Sequence, residues 1–72
     1  MRNIIEVIDR MLAKVDDAPM RAALAAAKSS AEYSAPEEMP RAWRKLQERF
    51  GAAFDPDNEK HHAAGRILAA ME

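Results

Sequence analysis

The sequence predicts an all-α protein, a compact bundle of three to four short helices that forms a single helical domain over residues 1–72. Alanine occupies 16 of the 72 positions, and alanine, glutamate, arginine and methionine all favour helix. Only six residues are β-branched and none is threonine, although a sheet is usually rich in such residues. Apolar side chains also recur with the period of an amphipathic helix.

The first helix is predicted over residues 4–15, with Asn3 as its N-cap and Glu6 three residues later, as in a capping box. Its apolar side chains fill an arc about 160° wide on a helical wheel, which is wider than a coiled-coil seam. We therefore expect this helix to pack into a globular core. The residues of the arc are Ile4, Ile5, Val7, Ile8, Met11, Leu12 and Val15.

The second helix is predicted over residues 18–33, with Asp16 or Asp17 before it and Pro19 in its first turn. It carries two stripes of apolar or small residues, and a helix of this kind is typically packed on two sides. The first stripe is Met20, Leu24, Ala27 and Ala31, and the second is Ala22, Ala26, Ser29 and Tyr33. Two interpretations of the second stripe remain open: contact with the third or fourth helix of the same chain, or a homodimer interface.

The third helix is predicted over residues 40–50, after a short turn over 35–39. Ser34 followed by Glu37 resembles a capping box, but Pro40 inside one continuous helix would clash with the carbonyl of Pro36. Gly51 is predicted to stop this helix. The expected inner face is Met39, Trp43, Leu46 and Phe50.

The fourth helix is predicted over residues 56–71, with Asp55 as its cap and Pro56 at its first position. Its apolar stripe is Ala64, Ile67, Leu68 and Met71, and His61 lies at the edge of that stripe. His61 and His62 are adjacent, so their side chains point about 100° apart and do not share one metal ion. We expect no metal site and no cofactor.

The composition argues against several classes of function. Eleven basic and 12 acidic residues give a net charge of −1, which provides no overall attraction to nucleic acid or to an anionic membrane. Charged residues interrupt the N-terminal apolar segment, so it resembles neither a signal peptide nor a membrane span. The chain has no cysteine, and we expect a cytoplasmic protein. No serine lies in a nucleophile elbow and no carboxylates are paired for acid–base chemistry, so we expect no catalytic residues and no enzyme.

A binding function is the remaining class. Tyr33 and Trp43 are predicted to anchor a protein partner, with Arg41, Arg44 and His61 giving orientation and charge complementarity. The small number of large apolar residues favours a homodimer, for which Ala22, Ala26, Ser29 and Tyr33 are the expected interface. The alternative is a small DNA-binding transcriptional regulator that inserts helix 40–50 into the major groove. The isoelectric point near 6.1 argues against this alternative.

Residues 33–46 also resemble a motif of small helical proteins from Mu-like transposable phages. The residues that carry the resemblance are Tyr33-Ser34-Ala35-Pro36-Glu37-Glu38-Met39-Pro40, followed by Trp43. The resemblance implies a small phage-encoded protein that binds host or phage proteins in the host cytoplasm. Inhibitors of host regulators and of host defence belong to such families.

Overall fold

The structure, a computed structural model, describes residues 3–71, with only the backbone described for Met71. Within this range the chain forms four α-helices and one 3-10 turn, and it contains no strand. The helices are α1 (Ile4–Leu12), α2 (Ala18–Glu32), α3 (Met39–Ala53) and α4 (Glu59–Met71), and the 3-10 turn is Pro36–Glu38. The prediction of a small all-α bundle is confirmed.

One hydrophobic core joins the four helices. Helix α2 packs against both α1 and α3, and α4 packs against α1. The buried stripe of α2 consists of Met20, Leu24, Ala27 and Ala31, as the spacing predicts. In α3 the buried residues are Ala42, Leu46 and Phe50, whereas Met39 and Trp43 are half-buried at the edge of the core. The inner face of α3 is therefore rotated toward Ala42 relative to the predicted face.

Side chains cap the first two helices. The Asn3 side chain accepts a hydrogen bond from the Ile5 N–H, and the Asp17 carboxylate accepts one from the Met20 N–H at 3.1 Å. Helix α1 ends at Leu12 and not at residue 15. The Arg21 guanidinium donates to the carbonyl oxygens of Leu12 and Val15, at 2.8 and 2.9 Å, and so satisfies one acceptor at the end of α1 and one in the loop that follows. Val15 is still buried in the core from its position in the loop.

The predicted turn before α3 is the 3-10 turn, but its cap is not the predicted one. The Ser34 hydroxyl donates to the Ser30 carbonyl at 2.9 Å, and the Glu38 carboxylate instead accepts from the Ala35 N–H. The predicted stop at Gly51 is also wrong, because α3 continues to Ala53. A glycine stop uses a left-handed conformation, and no described glycine has a positive φ.

Helix α4 begins at Glu59, three residues later than predicted. Asp55 does not cap it, because its carboxylate accepts from the Asp57 N–H at 2.9 Å and so forms a turn. The cap is Asn58, whose side-chain oxygen accepts from the Lys60 N–H at 2.9 Å. None of the helices in the described part of the chain has the length and apolarity needed to cross a membrane.

Candidate functional site

The outer side of α3 presents a cluster of exposed cations, here called the basic face. Because α3 buries Ala42, Leu46 and Phe50, the opposite side of the helix is exposed to solvent. The side chains there span an arc of about 140° around the helix axis. The basic face consists of Arg41, Arg44, Lys45 and Arg49. Within the described chain, none of these four side chains makes a hydrogen bond or an ion pair.

Most other described cations have partners within the chain. Arg10 pairs with Glu6, and Arg21 donates to two backbone carbonyls. Lys28 lies 2.7 Å from the Asp9 carboxylate, and this hydrogen bond raises the pKa of Lys28. Lys14 and Arg66 also have no side-chain partner among residues 3–71. Each is the single unpaired cation of its segment, the α1–α2 loop for Lys14 and α4 for Arg66. Among the described residues, the clustering of unpaired cations is therefore particular to α3.

Acidic residues modify the basic face. Glu48 lies near its middle, and the exposed Glu37 lies just before α3. A shallow depression of about 300 Å³ opens beside Glu48, lined also by Lys45, Arg49 and Ala52. The face is thus strongly but not uniformly positive.

The two predicted aromatic anchors lie in different environments. Trp43 is half-buried and packs against the core. It lies about 100° around the helix from Arg44, so it is not on the basic face. Tyr33, at the C-terminal end of α2, is 87% exposed. Of these two residues, Tyr33 is therefore the one whose side chain is fully available at the surface.

The second stripe of α2 does not pack inside the chain. Ala22, Ser29 and Tyr33 are exposed and Ala26 is half-buried. The interpretation in which this stripe packs on the third or fourth helix of the same chain is therefore wrong. The homodimer interface remains a prediction.

His61 lies inside the protein, not on the surface where we expected it to meet a partner, because its side chain is only 2% exposed. Its Nδ1 accepts a hydrogen bond from the Asp55 N–H at 2.9 Å, and its Nε2 lies 2.7 Å from the Asp17 carboxylate. Since Nδ1 is an acceptor, the proton of the neutral ring is on Nε2, which donates to Asp17. Sequence reasoning missed this arrangement because Asp17 is 44 residues away along the chain.

His61 belongs to a group of paired polar side chains, here called the loop junction, that joins the α1–α2 loop to the α3–α4 loop. Its members are Asp16, Asp17, Asp55, Asn58, Lys60 and His61. The hydrogen bond from His61 lowers the pKa of Asp17. The hydrogen bond from Lys60 likewise lowers the pKa of Asp16. The ionised carboxylates thus hold the α1–α2 loop to the first turns of α4, and His61 in turn binds the backbone of the α3–α4 loop.

An open cleft of about 410 Å³ lies at the loop junction, lined partly by Asp16, Asp55, Asp57 and Glu59. The Asp16 and Asp55 carboxylates already accept hydrogen bonds from Lys60 and from the Asp57 N–H. Within residues 3–71 no group of three or more histidine, aspartate or glutamate side chains is placed to hold a metal ion.

The basic face, Tyr33 and the loop junction are thus the features on which a functional interpretation rests. No family model, no curated protein and no solved structure matches this chain.

Proposed function

We propose that this chain is a small, non-enzymatic protein–protein interaction module that binds an acidic surface of a partner protein through the basic face of α3. The observation that carries the proposal is the set of four exposed cations that have no partner in the described chain. Charges of one sign gathered on one face steer an oppositely charged partner and fix its orientation. Arg41 and Arg44 retain their predicted role in this proposal, and Tyr33 is a candidate second contact.

A protein partner fits the basic face better than nucleic acid does. Glu48 lies within the face and Glu37 precedes α3, so both would meet phosphates with like charge. The chain also has a net charge of −1, whereas a DNA-binding domain typically carries a net positive charge. An acidic protein surface that carries one cation opposite Glu48 would match both signs.

DNA binding is the second candidate, and one observation favours it. The four cations project from a single exposed helix that follows a short turn, which is the arrangement of a helix that enters a major groove. Arg41 and Arg44 would then contact the phosphate backbone or guanine edges.

We also propose that the exposed stripe of α2 is the contact surface of a homodimer with two-fold symmetry, with Tyr33 at its end. A phage origin, an inhibitory action on a host protein and a cytoplasmic location belong to the same proposal, and they rest on the sequence alone.

The test compares two double charge reversals that change the net charge equally. Arg41→Glu with Arg44→Glu alters the basic face, whereas Lys14→Glu with Arg66→Glu alters two isolated unpaired cations. Each protein is immobilised and exposed to extract of the source cell. We expect a specific protein to bind to the wild type and to the control variant but not to the α3 variant. Equal capture by all three proteins would contradict the proposal.

The DNA alternative is tested with the same proteins and a DNA duplex of about 30 base pairs, which is about three helical turns long. Binding that falls steeply between about 50 and 200 mM salt and disappears in the α3 variant would favour DNA over a protein partner. We expect no retention of the duplex at the lowest salt concentration.

A further inference from the structure

Among the described residues, His61 is the polar side chain that is buried. It connects three segments of the chain. It lies in the first turns of α4, it contacts Asp17 in the α1–α2 loop, and it accepts from the Asp55 backbone in the α3–α4 loop. A histidine is the side chain that changes its charge near neutral pH. The interactions of its two ring nitrogens therefore decide how this part of the fold responds to acid.

The two ring nitrogens respond differently to a second proton. That proton has to enter at Nδ1, because Nε2 already carries one. At Nδ1 it would point at the Asp55 N–H, which is also a donor, so the 2.9 Å contact is lost. The Nε2 contact with the Asp17 carboxylate is kept, because a carboxylate favours the charged ring. Protonation therefore breaks one of the two hydrogen bonds and preserves the other.

From this geometry we infer that His61 is a pH-sensitive latch on the α3–α4 loop. The neutral ring holds the backbone of Asp55 and closes the loop over residues 54–58. The protonated ring releases Asp55 but stays bound to Asp17, so that α4 remains docked while the loop opens. This inference is independent of the proposed binding of a partner at α3.

The charged groups around His61 come from both loops and from α4. The α1–α2 loop contributes Asp17 and, next to it, Asp16 in its pair with Lys60 of α4. The α3–α4 loop contributes Asp55, whose own carboxylate is turned to the Asp57 N–H. The same loop also contributes an uncharged ring, Phe54, with its centroid 6.1 Å from that of His61. The Asp17 carboxylate thus still holds the charged ring when the backbone N–H of Asp55 is released.

His62 is an internal control for the latch. It is exposed, and its Nε2 lies 2.8 Å from the Pro56 carbonyl oxygen, to which it donates. Among the described residues no hydrogen bond involves its Nδ1, so a second proton there would leave the bond to Pro56 intact. The two neighbouring histidines therefore differ in the one property on which the inference depends.

Opening of the loop would expose Phe54. This half-buried ring packs on Phe50 at a centroid distance of 5.6 Å, and it makes an edge contact with His62. Acidification would thus uncover an apolar side chain at the C-terminal end of the helix that carries the basic face.

Nitrogen-15 NMR of the wild-type protein and of His62→Gln tests the latch in a titration from about pH 8 down to about pH 5. At the upper end we expect His61 to carry its proton on Nε2, with Nδ1 as an acceptor. As the His61 ring takes up its second proton, hydrogen exchange at the Asp55 amide should accelerate about tenfold beyond the intrinsic effect of pH. Amides of the core helices, such as that of Leu24, should keep their protection in both proteins.

Three results would overturn the inference. The first is a proton on Nδ1 of the neutral ring. The second is an Asp55 amide whose protection does not change while His61 becomes charged. The third is an equal loss of protection at Asp55 and at the core amides, which would indicate global unfolding and not the opening of one loop.

Discussion

The loop junction and the basic face use charge in opposite ways. At the loop junction, each polar side chain is paired within the chain, as in the contacts of Lys60 with Asp16 and of His61 with Asp17 and the Asp55 backbone. On the basic face four cations lie on one side of α3, and none has a partner in the described chain. The difference separates charges that hold the fold from charges that are free to contact another molecule. Each region can be altered without touching the other.

The largest expected effect on stability comes from His61→Ala at the loop junction. The substitution removes a buried side chain, leaves the Asp55 N–H without its acceptor and deprives Asp17 of a donor. We expect the free energy of unfolding to fall by about 2–4 kcal/mol. Urea denaturation measures this loss. A loss no larger than that of Arg44→Ala, expected within about 0.5 kcal/mol, would erase the contrast between the two regions.

For the affinity of a partner protein, we expect the larger effect from substitutions on the basic face and not at the loop junction. Arg41→Glu with Arg44→Glu should weaken the affinity for a captured partner by about tenfold or more, because like charges then face each other. The midpoint of unfolding should stay at the wild-type value. Titration calorimetry of the variant and of the Lys14→Glu, Arg66→Glu control measures both affinities. A similar weakening in the control would indicate a general effect of net charge.

Arg21 and Arg44 can be compared directly, because Arg21 donates to two backbone carbonyls and Arg44 has no side-chain partner in the described chain. Arg21→Ala should cost about 1–2 kcal/mol of stability, because the carbonyls of Leu12 and Val15 lose a charged donor. The matched substitution Arg44→Ala removes the same side chain from a position without partners. Thermal denaturation of the two variants distinguishes them, and equal melting temperatures would show that Arg21 does not stabilise the end of α1.

Acid should weaken the loop junction through its carboxylates. The pKa of Asp17 is lowered from 3.8, first by the His61 hydrogen bond, and the pKa of Asp16 is lowered by Lys60. The unfolded chain therefore takes up these protons at a higher pH than the folded protein does. The resulting stability is fully present above about pH 4 and is lost as the pH falls through the lower, folded values.

Asp17→Asn keeps an N-cap side chain but removes the titrating group. Its unfolding free energy should fall less steeply below about pH 4 than that of the wild type. The Asp57 carboxylate has no partner in the described chain, so Asp57→Asn should retain the wild-type profile. An unchanged profile for Asp17→Asn would mean that other groups cause the acid sensitivity.

Local periodicity predicted much of the fold and of the basic face. Spacings of three and four residues identify the buried stripe from Met20 to Ala31, and they also place Arg41, Arg44 and Lys45 on the outside of α3. Caps next to a helix start, such as Asn3 and Asp17, are predictable for the same reason, since they depend on residues close in sequence.

Features that depend on distant contacts or on a choice of backbone conformation could not be predicted in the same way. The contact of His61 with Asp17 depends on how α4 docks, so the pattern around His61 alone placed it at the edge of the apolar stripe and not in the core. Gly51 remains helical, although a glycine can equally well end a helix. Both Asp55 and Asn58 are good caps, and the helix begins after Asn58 because Asp55 forms a turn with Asp57.

The most direct test of the contrast removes the whole positive charge of the basic face. A variant with Arg41, Arg44, Lys45 and Arg49 all replaced by glutamine is compared with the wild type by urea denaturation at low salt. The free energy of unfolding should be equal to that of the wild type or slightly higher, because four like charges no longer repel each other. A loss of more than about 1 kcal/mol would contradict the account, because the basic face would then be holding the fold.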